Sequence, residues 1–390
     1  MNSIKKILAF ILSMIIFIIP VTSCSDEEDG VPLQADYGSY SADIARELAS
    51  LYPYRRAYTE QEAQAGEYIR SQFEALGYDV SKQDFTNLYG GTSANYIVNI
   101  PGNGFFSFDD YGNPEEVRRT IVIGAHYDDA FSQDQVDPSY AYDGISDNAS
   151  GIGVLLTIAE QIKNYEDLSF DVILVAFGAG NDDFAGARAF ASSLTDEVAG
   201  SIDCMYCIDS IYGGDKVYAS AGFNSLNMTQ KYQMRRKLYQ AYDVVYDSLL
   251  YSQYGFSLYY NECGVITDLN GDGFDDIYRE VSANRSDYVP FDEMNIPIVY
   301  FDSADYFFDN MEDMKDSKNL NLQEFGGMIR STPIDSSATL DQFMVTEEQD
   351  LLELRINCVA YIILESMMKG SDYAMTYSQY VALQDDNNGF

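Results

Sequence analysis

The hydrophobic positions along the chain fall into two patterns. Short, mostly apolar runs are typical of strands buried on both faces of a sheet, and they occur at residues 96–100, 120–125, 170–177, 202–211 and 296–301. Apolar positions at helical spacing predict helices at residues 60–76, 150–164, 184–194, 229–253 and 346–368. Because strands and helices alternate, we predict an α/β fold, a three-layer α/β/α sandwich with a mostly parallel mixed sheet.

The start of the first of these helices carries a local signal. Thr59 is followed three residues later by Glu62, which is the spacing of a capping box. In a capping box each of the two side chains accepts a hydrogen bond from the other residue's backbone N–H. We therefore expect this helix to begin at Glu60 and to stop before Gly77.

The charge balance excludes one class of partner. The 390 residues include 23 Lys and Arg against 62 Asp and Glu, a formal net charge of −39. Nucleic-acid binding requires basic side chains that displace counterions, so no nucleic acid is expected as a partner. With 46% hydrophobic residues, 33 Tyr and 22 Phe, the chain has enough apolar side chains for a large core.

The N-terminal segment has the pattern of an export signal. Lys5 and Lys6 precede an apolar run over residues 7–19, which is shorter than the about 20 residues that a transmembrane helix needs. The run leads to Val21-Thr22-Ser23-Cys24, which resembles a bacterial lipobox. We predict a lipoprotein that is acylated at Cys24 and touches the outer membrane through its lipid anchor only; an ordinary cleaved signal is the alternative.

These signals divide the chain into four parts. A signal peptide (1–23) is followed by an acidic tether (24–40), one domain (41–370) and a tail (371–390). The acidic residues 26–29 resemble an export tag of surface lipoproteins, so we expect exposure at the cell surface, or otherwise on the periplasmic face.

The remaining cysteines are Cys204, Cys207, Cys263 and Cys358. The first two form a CxxC, a spacing found in zinc and redox motifs. Here they lie in the apolar run 202–211, where residues three apart point to opposite faces of a strand. We therefore predict that both are buried and inert.

Candidate metal chemistry follows several predicted strands. His126, the only histidine, comes directly after one strand with Asp128 two residues on, and Asp209 lies at the end of another. Asp147 lies just before a predicted helix. Open α/β sheets bind their ligands at the carboxyl ends of their strands, and His and Asp are ligands of divalent metals.

In this order the motifs resemble the two-zinc aminopeptidases of metallopeptidase family twenty-eight. The segments that carry the resemblance are Gly124-Ala125-His126-Tyr127-Asp128, Ser146-Asp147-Asn148-Ala149-Ser150-Gly151, residues 177–183, Asp209 and residues 285–291. The resemblance covers residues 41–368 and implies a zinc-exopeptidase-like fold. It implies that His126, Asp147 and Asp209 are ligands of one zinc ion or another divalent metal. It also implies that Asp128 is the partner of the His126 ring.

The resemblance fails at three functional positions. The family's general base and the glutamate ligand that follows it correspond to Gly180 and Asn181, and its last histidine ligand corresponds to Tyr288. We expect one metal site to remain and the other to be lost. Asp182 and Asp183 are possible substitute bases, and Gly180→Glu, Asn181→Glu and Tyr288→His together are expected to rebuild both sites on a preserved scaffold.

A second metal motif is independent of the family. Residues 268–276 follow the rhythm of a short calcium loop, with Gly273 at the turn. The predicted ligands are Asp268, Asn270, Asp272, the carbonyl of Phe274 and Asp276. An acidic turn without a metal is the alternative.

Three functions stay open. The favoured one is a lipoprotein with a non-hydrolytic or strongly impaired aminopeptidase-type domain that binds a peptide or an amino-acid-like ligand. The others are an active one-metal exopeptidase with a relocated base and a calcium-stabilised adhesion module. Glutaminyl cyclases share the fold, but their pattern keeps the glutamate and the last histidine that are missing here.

Overall fold

A computed structural model describes residue 33 and residues 37–226, 231–262, 266–267, 276–277, 279–282, 284–307, 313–371 and 374–388. The chain divides into residues 1–32 and a compact unit over residues 33–390. The signal peptide, Cys24, Cys263 and residues 268–275 of the calcium loop lie outside the described residues, so the predictions on them stay predictions.

The described strands are listed here in chain order: β1 (Val80–Thr86), β2 (Thr92–Ile100), β3 (Phe105–Phe108), β4 (Pro114–Val117), β5 (Thr120–His126), β6 (Asp171–Phe177), β7 (Ile202–Ile208), β8 (Lys216–Ser220), β9 (Leu258–Tyr259), β10 (Ile266–Thr267), β11 (Asp276–Ile277), β12 (Ile298–Ala304) and β13 (Met375–Thr376). The central sheet, within the described residues, has the order β1-β2-β6-β5-β7-β12-β8-β9. Strands β6, β5, β7 and β12 are parallel neighbours, while β1, β2 and β8 pair antiparallel.

The described helices are α1 (Ser39–Leu51), α2 (Glu60–Ala75), α3 (Ser150–Gln161), α4 (Ala185–Ser193), α5 (Asp196–Ser201), α6 (Lys231–Met234), α7 (Arg236–Asp247), α8 (Leu250–Tyr254), α9 (Val289–Glu293), α10 (Ser337–Met344), α11 (Leu351–Met368) and α12 (Tyr377–Asn388). None of them is long and apolar enough to cross a membrane.

Helices cover both faces of the sheet, which confirms the predicted three-layer α/β/α class. The larger core cluster contains buried side chains of α1, α2, α3, α7 and α11, and the smaller one contains side chains of α4 and α9. Cys204 belongs to the first cluster and Cys207 to the second, so the two lie on opposite faces of β7, as their spacing predicts. Burial raises the pKa of both thiols, as expected of inert cysteines.

Two predicted helices have different bounds in the structure. The single helix predicted over residues 229–253 is wrong, since residues 231–254 form α6, α7 and α8. The chain breaks at Leu249, which has a left-handed backbone (φ 52°), and at Arg235, whose buried side chain binds Ser225 and Glu280. Helical spacing of apolar residues does not reveal these breaks, because it does not report the backbone conformation at Arg235 and Leu249.

The closing helix begins at Leu351 rather than at Thr346. Asp350 is its N-cap, and its carboxylate accepts hydrogen bonds from the backbone N–H of Leu352 and Glu353. Thr346 accepts from the N–H of Gln349 in the preceding turn. Asp350 therefore caps the first turn of α11, while Thr346 stabilises a separate turn before it, so the helix begins later than its apolar pattern predicts.

The C-terminal residues that the sequence left as a tail have regular structure over 374–388. Strand β13 pairs antiparallel with β3, and Tyr380 of α12 stacks on Phe106 with ring centroids 4.3 Å apart. This segment thus adds strand β13 to the small sheet β13-β3-β4 and packs α12 against it.

Candidate metal centre

The site lies where the parallel strands end. His126 is the last residue of β5, and Asp209 follows the end of the neighbouring strand β7. Asp147 precedes α3, which leaves the same edge of the sheet. Because parallel strands end together, residues 83 positions apart in the chain are brought to one point.

The three predicted ligands converge there. His126 Nε2 lies 3.3 Å from Asp147 Oδ1 and 3.6 Å from Asp209 Oδ1, and one ligand atom from each residue lies within 4.8 Å of the others. Zinc bonds of about 2.0–2.1 Å in tetrahedral geometry place ligand atoms about 3.3 Å apart. The predicted convergence is therefore confirmed, and the donor set fits one divalent ion with an open position.

The other ring nitrogen orients the histidine. His126 Nδ1 lies 3.1 Å from the backbone oxygen of Asp128 and 3.4 Å from its Oδ1. Both neighbours are acceptors, so a neutral ring carries its proton on Nδ1 and leaves the lone pair of Nε2 for a metal. Asp128 thus orients the ring, although the shorter contact comes from its main chain.

Asp147 is held by a residue that the sequence analysis missed. The buried carboxylate of Asp335 accepts hydrogen bonds from the backbone N–H of Ser146 and Asp147, each at 2.9 Å. Asn148 then connects the two carboxylate ligands, because it donates to the carbonyl of Ile208 and accepts from the N–H of Ser210. No motif around residue 335 signals this role, which depends on a contact across 188 positions.

Arg330 and Ser331 also contact the ligands and carry no sequence signal. Arg330 Nη1 lies 3.6 Å from Asp209 Oδ2, and the Ser331 hydroxyl lies 3.3 Å from Asp147 Oδ2. The Tyr300 hydroxyl is the third such neighbour, 3.4 Å from Asp209 Oδ2. Each carboxylate therefore faces His126 with one oxygen and a neighbouring donor with the other.

The electrostatics of the centre follow from these contacts. Burial alone would lower the pKa of His126, but Asp128, Asp147 and Asp209 outweigh it and raise that pKa well above its usual value. Burial would likewise raise the pKa of Asp209, but Arg330 and His126 hold it well below its usual range. Without a metal the ring is an imidazolium between carboxylates, so a metal and a proton compete for Nε2.

The turn after β6 contains Gly180, which corresponds to the family's general base. Two carboxylates accept hydrogen bonds from the backbone of this turn. Asp128 accepts from the backbone N–H of Gly180 (2.6 Å) and Asn181 (3.0 Å), and Glu62 accepts from the N–H of Ala179 (2.8 Å). Glu62 was predicted only as a capping-box residue. Thr59 does cap α2, but Glu62 accepts from the N–H of Tyr58 rather than that of Thr59.

Gly180 has no room for a side chain. A Cβ on this residue would lie 2.5 Å from His126 Cβ and 2.6 Å from its Cγ, well inside the about 3.5–4.0 Å of carbon contact. The expectation that Gly180→Glu rebuilds the family's centre on a preserved scaffold therefore needs correction. The turn lies against the histidine ring in a way that only glycine allows.

The two other positions at which the family's metal ligands are replaced, Asn181 and Tyr288, do not face the three candidate ligands His126, Asp147 and Asp209 (the triad). Asn181 is exposed, and its backbone N–H rather than its side chain is used by the centre. Tyr288 is fully buried in the core, where its hydroxyl donates to the carbonyl of Asn284 at 2.7 Å. Burial raises its pKa, so the phenol stays neutral.

The possible substitute bases have other partners. Asp182 accepts a hydrogen bond from the Tyr58 hydroxyl at 2.7 Å, and Asp183 forms an ion pair with Arg188 at 3.2 Å. Both side chains are exposed. Neither is among the described groups that could hold a metal with His126.

Two more buried carboxyls, those of Asp287 and Asp302, are close enough to Asp209 to interact with it electrostatically. Asp287 and Asp302 are fully buried, and neither oxygen of Asp287 has a hydrogen-bond partner among the described residues. Burial raises the pKa of Asp287 to about 7 and that of Asp302 to about 6. So much buried acidity is costly without cations, which supports the fit of a divalent ion nearby.

A cavity of about 800 Å³ adjoins the turn after β6. Its lining includes Arg56, Tyr58, Phe85, Asp182 and Arg188. None of the three predicted ligands lines it, so it lies beside the metal centre rather than within it.

Comparisons with known proteins agree with this geometry. The profile described as "Peptidase family M28" matches residues 111–260. The chain is 25% identical over 230 residues to the alkaline phosphatase isozyme conversion protein of Escherichia coli, across 57% of this chain and 63% of that protein. The chain thus spans less than two thirds of that relative.

Solved structures show the same fold at low sequence identity. A zinc aminopeptidase from Bacillus subtilis has a TM-score of 0.54 at 13% identity, covering 87% of this chain and 95% of its own. A glutaminyl cyclase from Porphyromonas gingivalis has a TM-score of 0.54 at 16% identity, covering 87% and 99%. The resemblance to metallopeptidase family twenty-eight and the predicted fold class are confirmed.

Proposed function

We propose that this chain, which resembles peptidase family twenty-eight in sequence and zinc exopeptidases in fold, holds one divalent metal ion and binds a peptide-like ligand with little or no hydrolysis. The observation that carries the proposal is the contact between Gly180 and His126. The candidate metal ligands are assembled, while a side chain at position 180, which corresponds to the family's general base, would collide with His126.

The proposed loss of hydrolysis follows from the chemistry of the reaction. A bound Zn²⁺ polarises a carbonyl and activates water, but a positioned base typically contributes a factor of ~10²–10⁴. Asp182 and Asp183 are engaged with Tyr58 and Arg188, away from the triad. A misplaced base contributes little, because proton transfer requires hydrogen-bond reach.

The cavity beside the turn is the proposed ligand site. Pockets of about 300–1,000 Å³ are typical for small ligands, and this one, at about 800 Å³, combines aromatic walls with charges of both signs. A short peptide matches that lining, because it offers apolar side chains together with charged termini.

The active one-metal exopeptidase remains the second candidate. The observation that favours it is the intact triad, which retains a buried histidine and two carboxylates with an open position. In that case Asp182 or Asp183 would have to reach the metal-bound water when substrate is present.

Metal content by elemental analysis, together with cleavage of a panel of amino-acid amides, tests the proposal. We expect one ion per chain in the parent protein, none in His126→Gln, and turnover ~10²–10⁴ below that of a zinc aminopeptidase assayed alongside. Efficient cleavage by the zinc-loaded parent that is abolished by Asp182→Ala or Asp183→Ala would establish the exopeptidase instead.

Ligand binding is tested separately through the cavity wall. Ala189→Trp places a large side chain in the cavity, while Ser192→Trp adds the same side chain to an exposed position of the same helix. Short peptides should raise the melting temperature of the parent and of Ser192→Trp, but not of Ala189→Trp. Equal shifts in all three proteins would place the ligand elsewhere.

The lipid anchor and the calcium loop are parts of the proposal that rest on sequence motifs. Cys24→Ala should abolish labelling by radioactive palmitate in cells and release the protein from the outer membrane, whereas Cys204→Ala should change neither. With zinc supplied, EGTA should lower the melting temperature of the parent but not of Asp272→Ala. A parent insensitive to EGTA would contradict the calcium site.

A further inference from the structure

The consecutive residues Arg330 and Ser331 lie against the two candidate ligand carboxylates. Asp147 and Asp209 both turn Oδ1 towards His126 Nε2. Their Oδ2 atoms face the consecutive residues Ser331 and Arg330, at 3.3 and 3.6 Å. The family resemblance implies that Asp147 corresponds to the carboxylate that bridges two metal ions, and such a bridge needs its second oxygen for the second ion. Here the Ser331 hydroxyl lies against that oxygen.

Arg330 is built into this position rather than lying on it by chance. Its backbone N–H, like that of Ile329, donates to the buried carboxylate of Asp316. Nη1 donates to the Tyr300 hydroxyl at 3.1 Å, and Nη2 lies 3.7 Å from Asp302 Oδ2. The side chain is 16% exposed.

A guanidinium occupies part of the charge environment in which the family has a second metal ion. The second metal position has lost its anionic ligand at Asn181 and its histidine at Tyr288. The Arg330 guanidinium already lies against the carboxylates of Asp209 and Asp302. A second divalent ion close to this guanidinium would meet like-charge repulsion, at a position that has lost two of the family's ligands.

We propose that Arg330 is the built-in second cation of this centre and takes the electrostatic place of the missing metal ion. The inference rests on the proposed one-metal function and adds the residue that limits the site to one ion. Arg330 acts through Asp209, so it is a positioning residue.

Zinc affinity of the full chain tests the role of Arg330. Competition with a chromophoric chelator gives the affinity, and native mass spectrometry gives the stoichiometry. We expect one ion in the parent. Arg330→Met should bind zinc about tenfold more tightly or better, since a cation near the metal is removed. Arg330→Lys keeps the charge, and Ser331→Ala removes a hydroxyl without a change in charge, so both should stay within about threefold of the parent.

The outcomes separate this inference from the proposed function. Two ions in the parent, or none, would overturn the one-metal function itself. One ion in the parent with unchanged or weaker binding by a folded Arg330→Met would overturn only the role of Arg330. If Arg330→Met does not fold, Arg330→Gln is measured instead: tenfold tighter binding supports the inference, while parent-like or weaker binding, or failure to fold as well, overturns it.

Discussion

At the scale of single residues, Gly180 is packed so closely against His126 that no side chain fits between them. Gly180 lies against the His126 ring, and its N–H is held by Asp128, the residue that also orients that ring. The turn and the metal ligand are therefore one packed unit, in which a single methyl group displaces both.

Gly180→Ala should destabilise the protein by about 1–3 kcal/mol, the usual cost of overpacking, and should weaken zinc binding because the ring must move. Gly200→Ala is the matched control, since a Cβ there meets no atom within 4 Å. Gly200 lies in α5, so its replacement should be neutral or stabilising by up to about 1 kcal/mol. Chemical denaturation measures both, and equal effects of the two substitutions would contradict the close contact.

Asp287 should make stability depend on pH. Burial raises its folded pKa to about 7, against about 4 in the unfolded chain. Between these values the folded state holds a proton that the unfolded state has lost, so this residue's contribution falls as pH rises from 4 to 7. In EDTA, Asp287→Asn should lose less stability over that range than the parent, by up to about 4 kcal/mol. Parallel stability curves for the two proteins would refute the shift.

At the scale of elements, tertiary contacts decide where periodic segments end. The stretch from Lys231 to Tyr254 is helical on both sides of Leu249, yet it breaks there, where a non-glycine residue has a left-handed backbone and is 55% exposed. The break allows α8 to end at Gly255 and the chain to enter β9.

Leu249→Gly should stabilise the protein by about 0.5–1 kcal/mol, because glycine removes the left-handed strain while little buried surface is lost. Tyr251→Gly, in α8 and 72% exposed, is the control with the opposite sign. It should cost about 1 kcal/mol, since its backbone is helical. Thermal melts compare the two, and destabilisation by Leu249→Gly would show that the break is not strained.

At the scale of the whole molecule, the net charge is −39, and several carboxyls are buried close to His126, Asp147 and Asp209. Arg330, whose side chain is 16% exposed, and the buried Arg55 are nearby cations among the described residues. A bound divalent ion relieves this repulsion only in the folded state, so metal binding should contribute to folding.

Zinc at 100 times its dissociation constant should therefore raise the free energy of unfolding by about 2.7 kcal/mol. His126→Gln removes the nitrogen ligand, so it should abolish the gain while leaving the sheet folded. Calorimetry with and without zinc measures the difference. A gain retained in His126→Gln would place the metal elsewhere.

The sequence by itself determined the layers of the fold, the places of the central elements along the chain and the three candidate metal ligands. Apolar runs report burial directly, and local motifs such as the one around Asp147 carry their chemistry within a few residues. Asp335, Arg330 and Glu62 could not be assigned in this way, because each acts through a partner far along the chain. The sequence does not tell whether a side chain would fit at position 180, and only the tertiary structure shows that a Cβ there would collide with His126.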